Sequence, residues 1–277
     1  MLRIRTLSDN TAGLGGFLAE WGLSIMVEKD GLNVLLDCGQ SISAAFNADI
    51  LGLNLARTDK IVLSHGHYDH TGGLFHILRK MHKNIDVIAH PDIWAAKYSC
   101  REGEDNRYIG IPYRREELES LDACFILGTE PTNISDDIIT TGEIPMLTDY
   151  EDIAPNLQVK TGGSFARDRL LDDQALIIKT TAGLVIILGC AHRGIINTIY
   201  HARHITGIEK IRAVMGGCHL ISASEERLKL TIKALKDMGV ERVGVSHCTG
   251  LYAAGVMARE FGDRFFYNTA GTVIELT

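Results

Sequence analysis

The stretch Ser64-His65-Gly66-His67-Tyr68-Asp69-His70 sets three imidazoles and one carboxylate within six residues. Imidazole nitrogen and carboxylate oxygen are ligands for zinc, iron or manganese. A lone histidine would carry little weight. An HxHxDH spacing is specific, and the competing reading is a polar loop with chance histidines. Two metals need about seven protein ligands and a single open zinc site needs three, so further donors must come from elsewhere in the chain. His192 in GCAHRG and His247 in SHCTG are the candidates, because each follows an apolar run and is followed closely by glycine, Gly194 and Gly250. Cys190 as thiolate and Asp173 as oxygen ligand stay open beside them. His219, after two glycines, is taken as the catalytic, substrate-facing residue, with ligation or a structural role as alternatives.

The elements around these residues can aim them at one point. Lys60-Ile61-Val62-Leu63 reads as a buried strand and LFHILRKMHK as a helix, so the motif sits on a strand-to-helix loop. Leu74, Ile77, Leu78 and Met81 share one helical face. Residues 23–37 read as a hairpin turning at Asp30-Gly31, and ALIIKT with LVIILG as a second. The helix IINTIYHARHI ends at Gly207, the strand IRAVMGG runs into Cys218-His219, and RVGVS runs into His247. Ser222 to Glu225 has the form of a capping box. FFYNTAGTVIEL reads as closing strand material, and residues 99–170 as the least regular part. Each half thus carries a hairpin, then strand–loop–helix units with His at a strand's carboxyl end. No linker is visible, so residues 1–277 are expected to form a single domain.

Composition excludes other classes. The net charge of −7 argues against a broad nucleic-acid or membrane surface. Apolar runs near six residues are far short of the roughly 20 that span a bilayer, and the first residues lack a signal-peptide core. A cytoplasmic location is expected. The six cysteines form no CxxC pair, which argues against a zinc ribbon. The expected partner is a small anionic or aromatic substrate, for which Arg107, Arg114, Arg115, Arg167 and Arg169 are the available cations. Oligomeric state is not readable.

HxHxDH resembles the signature of the metallo-β-lactamase superfamily, and Asp37-Cys38-Gly39 resembles the D-x-G element that precedes it there. The resemblance implies an α/β fold, a four-layer αβ/βα sandwich. It implies that His65 and His67 bind one metal, Asp69 and His70 a second, with Asp37 supporting a ligand from behind and His247 as the last ligand. The middle ligands depart from the pattern: Cys190 ends the strand where a bridging Asp is common, and His192 stands in for the missing imidazole. GCAHRGIIN, GGCHL and SHCTG resemble a narrower branch, the 7,8-dihydropterin-6-methyl-4-(β-D-ribofuranosyl)aminobenzene-5′-phosphate synthase family. That likeness implies transfer of a dihydropterin methyl group with diphosphate release. A metal-dependent hydrolase of a phosphodiester, lactone or thioester is the alternative, and a non-catalytic binding or sensing protein the third reading. One or two divalent metals are expected, zinc first, with iron, manganese or magnesium as alternatives.

Overall fold

A computed structural model describes residues 1–276. The chain begins with β1 (Leu2–Ser8), β2 (Ser24–Lys29), β3 (Leu32–Leu36), α1 (Ser43–Ile50), β4 (Lys60–Val62), α2 (Tyr68–Thr71), α3 (Leu74–Met81) and β5 (Ile85–Ala89). It continues through β6 (Lys97–Ser99), β7 (Arg107–Tyr108), α4 (Arg115–Glu119), β8 (Ala123–Leu127), β9 (Ile138–Thr140), β10 (Leu157–Thr161), β11 (Ser164–Arg167), β12 (Ala175–Thr180) and β13 (Gly183–Leu188). It ends with α5 (Ile195–Thr206), β14 (Ile211–Gly217), α6 (Glu225–Asp237), β15 (Val243–Ser246), α7 (Leu251–Phe261), β16 (Phe265–Tyr267) and β17 (Val273–Leu276). These elements divide into two compact units. The first takes Met1–Gly128, Ile153–Asp172 and the segment from Thr269 onward; the second takes Thr129–Asp152 and Asp173–Asn268.

The first unit is built on a seven-stranded sheet of order β17-β1-β2-β3-β4-β5-β8. The hairpin β2–β3 turns at Asp30, in a left-handed conformation, and Gly31. From β3 onward the pairing is parallel, through β4 and β5 to β8. Alternation decides what each strand buries. Met26, Leu35, Ile61, Val87 and Phe125 pack in one cluster with Ala44 and Ala48 of α1 and Leu74, Ile77, Leu78 and Met81 of α3. Their neighbours Ile25, Val27, Val34, Leu36, Val62 and Ile88 are buried as well, which is why these strands read as unbroken apolar runs.

The second unit holds a six-stranded sheet, β16-β15-β14-β13-β12-β9. It repeats the plan: an antiparallel hairpin β12–β13, then parallel pairing through β14, β15 and β16. Ile177, Ile186, Val214 and Val245 pack with Ile195 and Ile199 of α5, Ile232 and Leu235 of α6 and Met257 of α7. Gly207 closes α5 in a left-handed conformation. Helix α6 is capped by the side chain of Ser224, which accepts the Arg227 N–H at 3.1 Å, and not by Ser222. The capping-box form was misplaced by two residues because the serines at 222 and 224 offer the same chemistry and only the backbone path selects one.

Residues 99–170 are more regular than their composition suggests. β6, β7, β10 and β11 form a separate four-stranded sheet of short antiparallel pairs in the first unit. Strands this short and exposed leave no apolar alternation to read. The closing strand material splits: β16 joins the second unit's sheet, and β17 pairs with β1 in the first. Among the described residues no helix is long and apolar enough to cross a membrane.

Candidate metal-binding clusters

In the first unit, the HxHxDH motif leaves the end of β4 and enters α2, so Asp69 and His70 stand on the first turn of a helix. The neighbouring strand β3 ends in Asp37, which is fully buried and has a φ of 58°. Such a conformation costs a non-glycine residue about 1–3 kcal/mol and persists only where surrounding contacts enforce it. Here they do. Asp37 Oδ1 accepts the Ser64 N–H at 2.7 Å, Oδ2 accepts the Ser64 hydroxyl at 2.7 Å, and His70 Nδ1 lies 2.6 Å from Oδ2.

These bonds set the tautomers. A carboxylate only accepts, so His70 carries its proton on Nδ1 and leaves Nε2 as a lone pair. The Ser64 hydroxyl donates to Asp37 and so accepts from His65 Nδ1 at 2.9 Å, which makes His65 Nε2 the acceptor nitrogen of that ring. That nitrogen faces His67 Nδ1 at 3.0 Å. Two nitrogens on one tetrahedral zinc are about 3.4 Å apart for Zn–N of about 2.1 Å, so the pair stands near the spacing that one ion requires. The rings of His65 and His70 lie 4.3 Å apart between centroids. Asp69 Oδ2 accepts the Trp21 indole N–H at 3.0 Å, which fixes that carboxylate at the same loop. Buried imidazoles with a carboxylate form a donor set suited to zinc, iron or manganese, and the support of His70 by a carboxylate is a common arrangement behind a ligand.

A buried ion-pair triad holds the loop from a second side. Lys97 Nζ lies 2.8 Å from Asp168 Oδ2 and 2.9 Å from Asp172 Oδ1. The other oxygen of Asp172 accepts the Gly66 N–H at 2.8 Å, inside the motif. Burial pushes the Asp172 carboxyl up, with Lys97 pulling against it. Burial works against the Lys97 ammonium, but Asp172 and Asp168 outweigh it and hold Lys97 above the usual lysine range.

In the second unit, three consecutive parallel strands end in loops that carry the remaining candidates. β13 leads to Cys190-Ala191-His192, β14 to Cys218-His219, and β15 to His247-Cys248. Ala191, His219 and His247 all adopt left-handed backbone, with φ of 48°, 45° and 51°. The rings of His192 and His219 lie 4.2 Å apart. One ligand atom each of Cys190, His219 and Cys248 lies within 4.8 Å of the others. The His219 N–H donates to Cys248 Sγ at 3.3 Å. Burial raises the Cys248 thiol, but bonds to Cys190 and His219 and the adjacent His247 and His219 rings outweigh it and hold it well below the usual thiol range. Cys218 is the opposite case: burial pushes it up to about 12. Asp173 has one carboxylate oxygen on the Arg193 N–H at 2.8 Å. The loop after β13 runs into α5, whose first turn is bound by a distant acid: Glu151 accepts the N–H groups of Ile196 and Asn197 at 3.0 and 2.8 Å.

The structure therefore groups His65, His67, Asp69 and His70 in the first unit, and His192 with His219 in the second, with His247 next to Cys248 at the following strand end. His90 caps the short 3₁₀ turn Pro91–Trp94, its Nδ1 accepting the Asp92 N–H at 3.0 Å. Arg115 pairs with Glu119 on the surface at 2.7 Å. Sequence reasoning missed Trp21 and Lys97, neither of which carries a local signal, whereas Cys248 stood out with Cys190 and Cys218 as cysteines that follow a predicted strand close to a histidine.

The model of the metallo-β-lactamase superfamily matches residues 22–190. The chain is 35% identical over 99% of its length, and 96% of the relative's, to the 7,8-dihydropterin-6-methyl-4-(β-D-ribofuranosyl)-aminobenzene-5′-phosphate synthase of Methanocaldococcus jannaschii. It is 34% identical to an uncharacterised protein of the same organism over 98% of this chain and 99% of that one. Among solved structures, Tm1679, described as a metal-dependent hydrolase of the β-lactamase superfamily, matches with a TM-score of 0.86 and 30% identity over the full length of both chains. The motif, the repeated hairpin-and-parallel-strand plan of each unit and the strand-end histidines agree with these likenesses, and the chain belongs to the metallo-β-lactamase superfamily.

Proposed function

We propose that this chain is a metal-dependent enzyme that acts on a small phosphorylated, pterin-type substrate and releases diphosphate. His65, His67, Asp69 and His70, together with His192 and His247, are the proposed ligands of one or two divalent ions, zinc first and iron or manganese next. Magnesium suits this nitrogen-rich set less well. The observation that carries the reading is the Asp37 relay, in which one buried carboxylate bonds His70 Nδ1 directly and orients His65 Nδ1 through the Ser64 hydroxyl. A buried carboxylate spent on orienting two imidazoles is what ligation needs and what a packing histidine does not.

A bound divalent ion would neutralise a diphosphate leaving group, or lower the pKa of a bound water to about 7. The remaining work falls to side chains. In the transfer reaction an aryl amine nitrogen bonds to the pterin methylene as the carbon–oxygen bond to diphosphate breaks, and the amine gives up a proton. His219 is the proposed acceptor: it is partly exposed, and its Nδ1 has no hydrogen-bond partner among the described residues. Trp21, 43% exposed and tied to Asp69, offers a flat face for an aromatic ring. Support for this reaction comes from the printed name of the archaeal synthase, at 35% identity.

Hydrolysis is the second reading, because the 30%-identical solved protein is described as a hydrolase. One experiment separates them. Metal content is measured on protein purified without chelator, for the wild type and for His65→Ala, His67→Ala, His192→Ala and His247→Ala. Diphosphate release is then followed with and without the aryl amine, using the metal found. Release that requires the amine marks a transferase, amine-independent release marks a hydrolase, and full metal content in the variants removes those residues from the ligand set. Metal binding without turnover would leave a binding protein. Among the described residues no disulfide joins the six cysteines, which suits the reducing cytoplasm in which we place the enzyme.

A further inference from the structure

We infer that Arg107 clamps the diphosphate end of the substrate at the rim of the HxHxDH loop, given the diphosphate-releasing reaction proposed above, on which this assignment rests. Arg107 opens β7 and is exposed. Its guanidinium carbon stands 5.7 Å from the centre of the Tyr68 ring. Tyr68 lies between His67 and Asp69, two of the proposed metal ligands. A guanidinium over an aromatic face is attracted to it, which keeps the cation at this place. Among the described residues Arg107 has no ion-pair partner. Two of the other cations available to a substrate are engaged: Arg115 pairs with Glu119, and Arg167 Nη2 donates to the Ile153 carbonyl at 2.6 Å. A guanidinium with no acid of its own keeps its fork of N–H donors for phosphate oxygens, which it can bind two at a time. On a chain of net charge −7 an anionic substrate needs such a local cation.

The backbone around Arg107 is fastened to the motif. Two residues further on, the Ile109 carbonyl accepts the Tyr68 N–H at 2.9 Å, and the Ile109 N–H donates to the Lys97 carbonyl at 2.9 Å. On its other flank, Arg107 pairs in register with Ser99 of β6. The Tyr68 ring packs against the apolar cluster of Ile109, Ile153, Leu157 and Leu170, which fixes the surface that the guanidinium lies on. The next motif residue, Asp69, holds the Trp21 indole. Consecutive residues of one loop therefore carry a cation and an exposed aromatic ring. A substrate with a flat ring at one end and a diphosphate at the other calls for those two groups.

The test is calorimetric titration of full-length protein, purified without chelator, with inorganic diphosphate. Arg107→Ala should weaken binding about 10-fold or more, the worth of a hydrogen bond to a charged group, with metal content unchanged. Its affinity should also depend less steeply on salt, because one charge is missing. Arg107→Lys keeps the charge without the fork and should fall between the two. Tyr68→Phe, which keeps the ring, and Arg115→Ala should bind as the wild type does. Unchanged affinity in Arg107→Ala would overturn the assignment alone. So would loss of metal in that variant, which would make Arg107 a prop for the loop, or an equal loss of affinity in Arg115→Ala, which would reduce the effect to general charge. No binding by the wild type would overturn it together with the diphosphate reading itself.

Discussion

Replacing Lys97 by methionine tests the reading that a buried ion triad, remote in sequence, holds the metal-motif loop. Lys97 is 1% exposed on β6, with Asp168 at 5% and Asp172 at 1%. Methionine keeps most of the apolar stem and removes the ammonium. Each carboxylate retains one backbone donor, Leu170 N–H on Asp168 at 2.7 Å and Gly66 N–H on Asp172 at 2.8 Å. Two buried carboxylates then face one another with no counter-charge. Removing one partner from a buried pair costs about 3–5 kcal/mol, and that is the expected loss of unfolding free energy at neutral pH. The sign of the pH dependence follows from the two shifts. Asp172 is raised by burial, so its unfavourable ionisation is felt as pH climbs through its folded pKa and is absent below its unfolded one. Lys97 is raised by its two carboxylates, so its favourable contribution is complete below the ordinary lysine value of about 10.4 and is lost as pH rises through the folded one. The deficit in Lys97→Met should therefore shrink as the solution is acidified, because a protonated carboxyl needs no cation. Urea unfolding across that pH range measures it. The charge-free variant Lys97→Met/Asp168→Asn/Asp172→Asn should recover most of the loss. A deficit under about 1 kcal/mol, or one independent of pH, would refute the argument.

Three further outcomes are expected. Asp37→Asn places an amide N–H₂ against a protonated imidazole nitrogen or the Ser64 hydroxyl, and metal affinity measured by competition with a chelator should fall about 10–100-fold; unchanged affinity would mean that His70 is oriented by something else. Gly194→Ala should lose at least 1–3 kcal/mol in denaturant unfolding, because φ is 100° and its Cβ would lie 2.2 Å from the Glu151 Oε2 atom that caps α5. Trp21→Phe removes the indole N–H from Asp69 while leaving a ring. If the indole serves both roles proposed for it, KM for an aromatic substrate should change less in this variant than in Trp21→Ala, while metal content falls in both, and equal metal content to wild type in both would limit Trp21 to the pocket wall.

Local chemistry was enough for several features. Four apolar runs followed by histidine or cysteine fixed the strand ends at β4, β13, β14 and β15, because a buried parallel strand must be apolar on both faces and its loop must then turn polar. The Asp30-Gly31 turn and the Gly207 cap were legible because left-handed backbone restricts residue choice strongly. The motif itself was legible because three imidazoles within six residues serve few purposes other than binding metal. Tertiary structure decided the rest. Nothing near Lys97 in the chain announces that it is buried, since its partners stand 71 and 75 residues away. Trp21 is joined to Asp69 across 48 residues and Cys248 to Cys190 across 58. The β6–β7–β10–β11 sheet escaped detection because its short strands are largely exposed and carry no alternation. Periodicity reports which face of an element is buried, whereas the partner of a buried charge or thiol is set by how distant loops meet, and only the folded backbone specifies that.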